Sequence, residues 1–209
     1  MDDYMVVACI RHGLTDENEK GKYLGWTNSS LSKKGIESLK RRNTFFENYE
    51  RCFTSDLNRC LETAHLLFPH APLISSSLLR EIHFGGWEGL TYESLKDDDV
   101  YQEWLLDPSI PPPNGEGIDQ FGKRVDLAWA QIVAQIKEHN GKRYALITHG
   151  GVIRHLLTTL SPIDVHRTFW EWEVNHGEGY EFVWKTENDW RNQTCTSLRE
   201  VPLMGKVNG

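Results

Sequence analysis

The stretch Met5-Val6-Val7-Ala8-Cys9-Ile10-Arg11-His12-Gly13 decides how the chain is read. Its apolar run has the length of a buried strand and breaks at once into an arginine, a histidine and a glycine. The same design returns in Tyr144-Ala145-Leu146-Ile147-Thr148-His149-Gly150-Gly151, which leads into a helix predicted over 152–160. In open α/β sheets, ligands bind in the crevice beyond the carboxyl ends of the strands, so two histidines in that position point to one crevice. Glycine after each histidine permits a sharp turn and a close backbone approach. Gly150 and Gly151 also leave bare amides at a helix start, where anions bind.

Outward from these two points, strand-like and helix-like segments alternate, which predicts an α/β domain with a largely parallel sheet. A polar loop runs to Ser30. Ser32 then reads as the N-cap of a helix with Ile36, Leu39, Phe45 and Phe46 on one face, ending near Tyr49. Residues 52–54 read as a strand, and Ser55-Asp56 as the cap of a helix over 57–68 that Pro69 stops. A third strand is expected over 72–75, a glycine-rich loop over 81–89, one helix over 92–106, and a Pro/Gly-rich loop over 108–117. Phe121, Val125, Ala128, Ile132 and Ile136 mark a long amphipathic helix with Gly141 in the stop position. A strand is predicted over 180–184, and the polar tail beyond it carries no assignment.

Composition narrows the function. A length of 209 residues suits one domain with a sizeable core. The formal net charge of −7, with no basic stripe, argues against nucleic acid as a partner. The apolar runs are too short to cross a bilayer, and the acidic N-terminus lacks a signal pattern, so no membrane association and a cytoplasmic location are expected. The cysteines Cys9, Cys52, Cys60 and Cys195 show no Cys-x-x-Cys spacing and read as reduced thiols rather than disulfide or zinc ligands. An acidic protein that binds an anion needs a local cluster of cations inside a pocket.

Such a cluster can be named. Phosphoryl transfer requires cations around the non-bridging oxygens, an in-line nucleophile and an acid for the leaving oxygen. Arg11 offers a planar fork, and Arg59 lies one turn into the helix after the second strand, within reach of the same crevice. Glu81, flanked by apolar residues before a glycine-rich loop, suits a partly desolvated general acid. On local sequence alone it reads equally well as the ion-pair partner of Arg80. The tryptophans Trp26, Trp87, Trp104, Trp129, Trp170, Trp172, Trp184 and Trp190 read mostly as packing, with Trp87, Trp104 and the 169–172 stretch as possible walls of the cleft.

These segments, in order, resemble the histidine phosphatase superfamily, which includes cofactor-dependent phosphoglycerate mutases and small phosphatases. The resemblance rests on Arg11-His12-Gly13-Leu14-Thr15-Asp16-Glu17-Asn18, on Thr54-Ser55-Asp56-Leu57-Asn58-Arg59, on Leu79-Arg80-Glu81-Ile82 with Gly85-Gly86-Trp87-Glu88-Gly89, on Asn114-Gly115-Glu116 and on Thr148-His149-Gly150-Gly151. It implies a three-layer α/β/α sandwich around a mostly parallel sheet, forming a single domain over 1–209 with a helical cap at about 88–117. It implies that His12 is phosphorylated, that Glu81 donates and accepts protons, and that Arg11, Arg59 and His149 hold the phosphoryl group. Asn18, Thr15 and the amide of Gly150 become secondary contacts, with no metal and no cofactor. Leu14 stands where many members carry glutamate, and Asn28 replaces a commonly acidic position.

The implied reaction is hydrolysis of a small-molecule phosphate ester. Between Gly89 and Gly115 the only basic residue is Lys96, beside Asp97-Asp98-Asp99, which fits hydrolysis better than a mutase's recognition of a sugar acid. Phosphoglycerate mutase is the alternative, and a non-catalytic phosphate-binding module a second one.

Overall fold

The protein's structure, a computed structural model, describes residues 4–42, 49–162, 164–185 and 194–201. Six strands form one sheet: β1 (Tyr4–Arg11), β2 (Arg51–Ser55), β3 (Leu73–Ser76), β4 (Arg143–Thr148), β5 (Gly179–Lys185) and β6 (Ser197–Val201), in the order β3-β2-β4-β1-β5-β6. The first four are parallel; β5 runs antiparallel to β1, and β6 antiparallel to β5. The unassigned polar tail therefore supplies an edge strand.

Alternation along the strands builds the layers. Met5, Val7 and Cys9 face one side with α6 (Ile118–His139) and α7 (Gly150–Leu160). Ala8 and Ile10 face the other, against α2 (Lys33–Lys40) and α3 (Asn58–Leu67) through Leu39, Cys60, Ala64 and Leu67. A strand buried on both faces reads as a continuous apolar run, as β1 and β4 do. The three-layer α/β/α arrangement with a mostly parallel sheet is the one expected.

Several boundaries differ from expectation for local reasons. The polar loop after His12 holds a one-turn helix, α1 (Asp16–Glu19), capped by Thr15. The predicted 92–106 helix is two, α4 (Tyr92–Leu95) and α5 (Asp99–Leu106), because the Asp98 side chain caps the second by accepting from the Tyr101 N–H. Asn140 ends α6 in the left-handed conformation (φ 53°), not Gly141. α3 begins after Leu57 without a side-chain cap, since Asp56 pairs with Arg80. α2 ends at Lys40; Phe45, Phe46 and Trp190 lie outside the described residues.

A third, small cluster of Trp87, Leu95, Tyr101 and Trp104, with Tyr23 and Phe84 against it, lies apart from the two main cores. Its base is a backbone seam. Gly86 N–H donates to Pro113 O (2.7 Å), Glu116 N–H to His83 O (3.0 Å), and His83 N–H to the Glu116 carboxylate (3.0 Å). Gly85 takes φ +53°, and a Cβ there would lie 2.1 Å from Pro113 O. Gly85→Ala should cost about 2 kcal/mol or more of stability from backbone strain and overpacking. Urea denaturation measures this, and an unchanged midpoint would mean the seam is not held as described.

Candidate active site

The register of the central strands sets the site. Arg11 on β1 lies beside Thr148 on β4, and the His12 N–H donates to Thr148 O at 2.9 Å. His12 and His149 therefore leave adjacent strand ends at the same level, with ring centroids 5.1 Å apart. Both are buried.

His12 Nδ1 lies 2.7 Å from Gly13 O. A carbonyl can only accept, so Nδ1 carries the proton and Nε2 keeps the lone pair. Burial first, and then His149, Arg59, Arg11 and His176, hold the His12 pKa well below its ordinary value. The ring is thus held neutral, with its lone pair on Nε2. His149 is kept neutral by burial and by Arg59, Arg11, Arg124 and Arg80. Its Nδ1 faces an Arg59 Nη2 at 3.3 Å, and Cys60 Sγ sits 3.5 Å from its Nε2.

Arg59, expected at a helix start, is fully buried there. It donates to Thr27 O (2.8 Å) and Gly25 O (2.6 Å). Arg11 donates from Nη1 to Val174 O at 2.8 Å. Burial lowers the pKa of both, that of Arg11 to about 10, with Glu81 acting in the opposite direction on each. The Nε–H of Arg11 and of Arg59 are buried and meet no acceptor among the described residues. Buried donors of this kind call for an explanation, and an anion beside His12 supplies one. At Gly150 a Cβ would sit 3.3 Å from Arg11 Cζ, so a larger side chain would crowd the guanidinium.

Glu81 is not the partner of Arg80, which forks onto Asp56 at 2.7 and 2.5 Å. Its oxygens instead accept the Ile82 N–H (2.9 Å) and the Gly151 N–H at the start of α7 (3.0 Å). Its backbone carbonyl takes the Trp26 indole N–H (2.9 Å) and an Arg124 N–H (3.1 Å). Thr15 and Asn18 are engaged with each other in the α1 cap: Asn18 N–H donates to Thr15 Oγ1 at 3.2 Å, and Thr15 N–H to Asn18 Oδ1 at 3.3 Å. Among the described residues no group of His, Cys, Asp and Glu is suited to hold a metal ion.

Two residues escaped the sequence reading. His176 lies 5.2 Å from His12, centroid to centroid, and its Nδ1 donates to His12 O at 3.2 Å. Burial and Arg11 lower its pKa to about 3. The signal was a third His-Gly pair, His176-Gly177, ahead of β5. Arg154 reaches the site from one turn into α7; its Nη1 lies 3.2 Å from the Cβ position of Gly150. Gly150 and Arg154 are four residues apart, the spacing of one helix face.

Beside Glu81 opens a cleft of about 440 Å³, its mouth included, walled by Phe84, Trp104, Phe121, Phe169 and Trp170, with Arg154 its cation.

Residues 7–196 match the histidine phosphatase superfamily (branch 1). The chain belongs to this superfamily. Among its relatives, this histidine phosphatase is 29% identical to the adenosylcobalamin/alpha-ribazole phosphatase of Salmonella typhimurium LT2, over 80% of this chain and 85% of the other. It is 25% identical to the 2,3-bisphosphoglycerate-dependent phosphoglycerate mutase of Allorhizobium ampelinum, over 97% of each. The crystal structure of the alpha-ribazole phosphatase from Shigella flexneri superposes with a TM-score of 0.72 at 26% identity, covering 86% of this chain and 89% of that one.

Two buried imidazoles and a half-buried one have consequences for pH. Below the ordinary value of 6.5 the unfolded chain protonates His12, His149 and His176 while the folded protein does not, so stability falls as pH drops. Unfolding should take up about one and a half protons from this cluster at pH ~6.5, rising to about three near pH ~5, where His176→Asn should remove about one. The slope of unfolding free energy against pH reads this directly; a slope unaltered by the substitution would show that His176 charges within the fold.

Proposed function

We propose that this histidine phosphatase is a metal-independent phosphomonoesterase of the histidine acid phosphatase type, hydrolysing a small phosphorylated metabolite through a phosphohistidine on His12. The observation that carries the reading is the neutral His12 Nε2 set beside two guanidiniums whose buried Nε–H groups meet no acceptor among the described residues. The family supports phosphatase activity, as do relatives named for it.

Arg11, Arg59 and His149 take the non-bridging oxygens and stabilise the charge that develops on them. His12 Nε2 attacks phosphorus, the phosphorus–oxygen bond to the leaving group breaks, and Glu81 gives that oxygen a proton. Glu81 then removes a proton from water, whose oxygen attacks the phosphohistidine and frees His12. The Gly150 amide, Thr15 and Asn18 support this set, the latter two by holding the loop after His12. Residues 88–117 serve as a helical cap within a single domain, a role supported by the position of Trp104 on the cleft wall. A cytoplasmic setting suits four free, buried cysteines.

The mutase reading keeps one observation in its favour: the match to a phosphoglycerate mutase along 97% of both chains. The cleft speaks for hydrolysis, because its walls are mostly apolar.

His12→Ala should abolish phosphate release from an aryl phosphate in chelator, a loss of at least about 10³-fold, with the melt nearly unchanged. Acid-labile, base-stable label from substrate should appear on His12 of the wild type. Label on another residue, or turnover that chelator stops, would overturn the proposal, and primer-dependent interconversion of phosphoglycerates would turn it into a mutase. Glu81→Gln should slow alkyl phosphates more than aryl phosphates by about tenfold or more, since an aryl oxide leaves with less help from an acid. Equal losses on both would remove Glu81 from the proton transfer.

A further inference from the structure

The cleft beside Glu81 has a chemistry of its own. It begins where the leaving oxygen must lie, because Glu81 and Gly151 line both the cleft and the edge of the phosphoryl site. Its walls come from separate segments of chain. Phe84 and Trp104 meet edge to face at 6.2 Å (80°), and Phe169 and Trp170 at 4.8 Å (79°). Phe121 comes from α6. Trp170 is 63% exposed, an unusual position for so large an apolar ring. Pockets with apolar aromatic walls and few polar groups take ligands by area and shape, and a polyhydroxylated or acidic group gains little there.

Arg154 stands between this cleft and the phosphate. Its Nε donates to Trp172 O at 3.1 Å, which fixes the fork. No carboxylate pairs with it among the described residues, and after burial its charge is the next cause that lowers the Arg11 pKa, against the opposite effect of Glu81. Two neighbouring guanidiniums, each anchored to a backbone carbonyl, repel one another, and an anion between them relieves that repulsion.

We propose that the cleft is a leaving-group pocket for phosphate monoesters carrying a flat aromatic group, and that Arg154 is a third substrate-binding arginine joining that pocket to the phosphoryl site. This rests on the phosphomonoesterase reading above and names its substrate class. The ring lies among Phe84, Trp104, Phe169 and Trp170, the bridging oxygen faces Glu81, and Arg154 meets the phosphoryl edge nearest the cleft.

Esters of primary alcohols separate this pocket from leaving-group acidity. In chelator, 2-(naphthyl)ethyl phosphate should be hydrolysed with kcat/KM about 30-fold or more above that of propyl phosphate and of glycerol phosphate, the size expected for burying one aromatic ring. Trp170→Ala should shrink that ratio about fivefold or more while inorganic phosphate still inhibits as in the wild type. Arg154→Met should weaken phosphate inhibition about tenfold, and Arg154→Lys should restore part of it. Ratios within about threefold across the three esters would overturn the pocket while leaving hydrolysis standing. Phosphate inhibition unchanged in Arg154→Met would remove Arg154 from the substrate. Failure to hydrolyse any ester would sink both this inference and the phosphatase reading.

Discussion

Arg59 and the Nε of Arg11 are buried beside a histidine that is held neutral, and the way the two arginines are anchored governs the rest of the site. Both bind backbone carbonyls: Val174 O for Arg11, Gly25 O and Thr27 O for Arg59. Carbonyls fix a guanidinium without cancelling its charge, so beyond the effect of burial and of His149 the two arginines also oppose protonation of His12. A carboxylate in their place would stabilise the buried charge more but would weaken that field and compete with an incoming anion. The neighbouring arginines are treated differently. Arg80 is paired with Asp56 and Arg124 with Glu116, and both serve to hold the chain around Glu81.

That division reconciles a net charge of −7 with the proposed anion site. The acidic surplus lies outside the cluster, and within it three arginines (Arg11, Arg59 and Arg154) are held by carbonyls. Desolvation strengthens each interaction there, since little water remains to screen it. The same burial makes the cluster expensive to fold, which is why each fork is tied to backbone carbonyls from distant parts of the chain. The 25–27 loop, the 172–174 segment and the strand ends are cross-linked through these arginines, so binding geometry and local stability have the same origin.

Around this centre the parallel pairing of β1 with β4 is the positional constraint. A slip of one residue would send His12 to the opposite face of the sheet, into a helix-covered core. The alternation of Met5, Val7 and Cys9 against Ala8 and Ile10, each set matched to its own pair of helices, makes the observed register the one that buries both faces.

The sequence by itself determined the fold class, the two central strands, the principal helices and the direction of Arg11, His12, Arg59 and His149 toward one crevice. Those are local properties: apolar runs of strand length, helical stripes such as Phe121 to Ile136, and glycines where the chain must turn. The resemblance supplied the proposed roles. Only the tertiary structure decided what depends on strand direction and on competition between partners. His176-Gly177 is the same dipeptide as His12-Gly13, but it precedes its strand. It reaches the site because β5 runs antiparallel to β1, a choice made by sheet pairing between segments more than 160 residues apart. Glu81 faced a neighbouring arginine in sequence, yet Asp56 took that arginine and left Glu81 to the Gly151 amide. Such contests are settled by packing over long range, because a side chain's partner is whichever group the fold brings within hydrogen-bond reach.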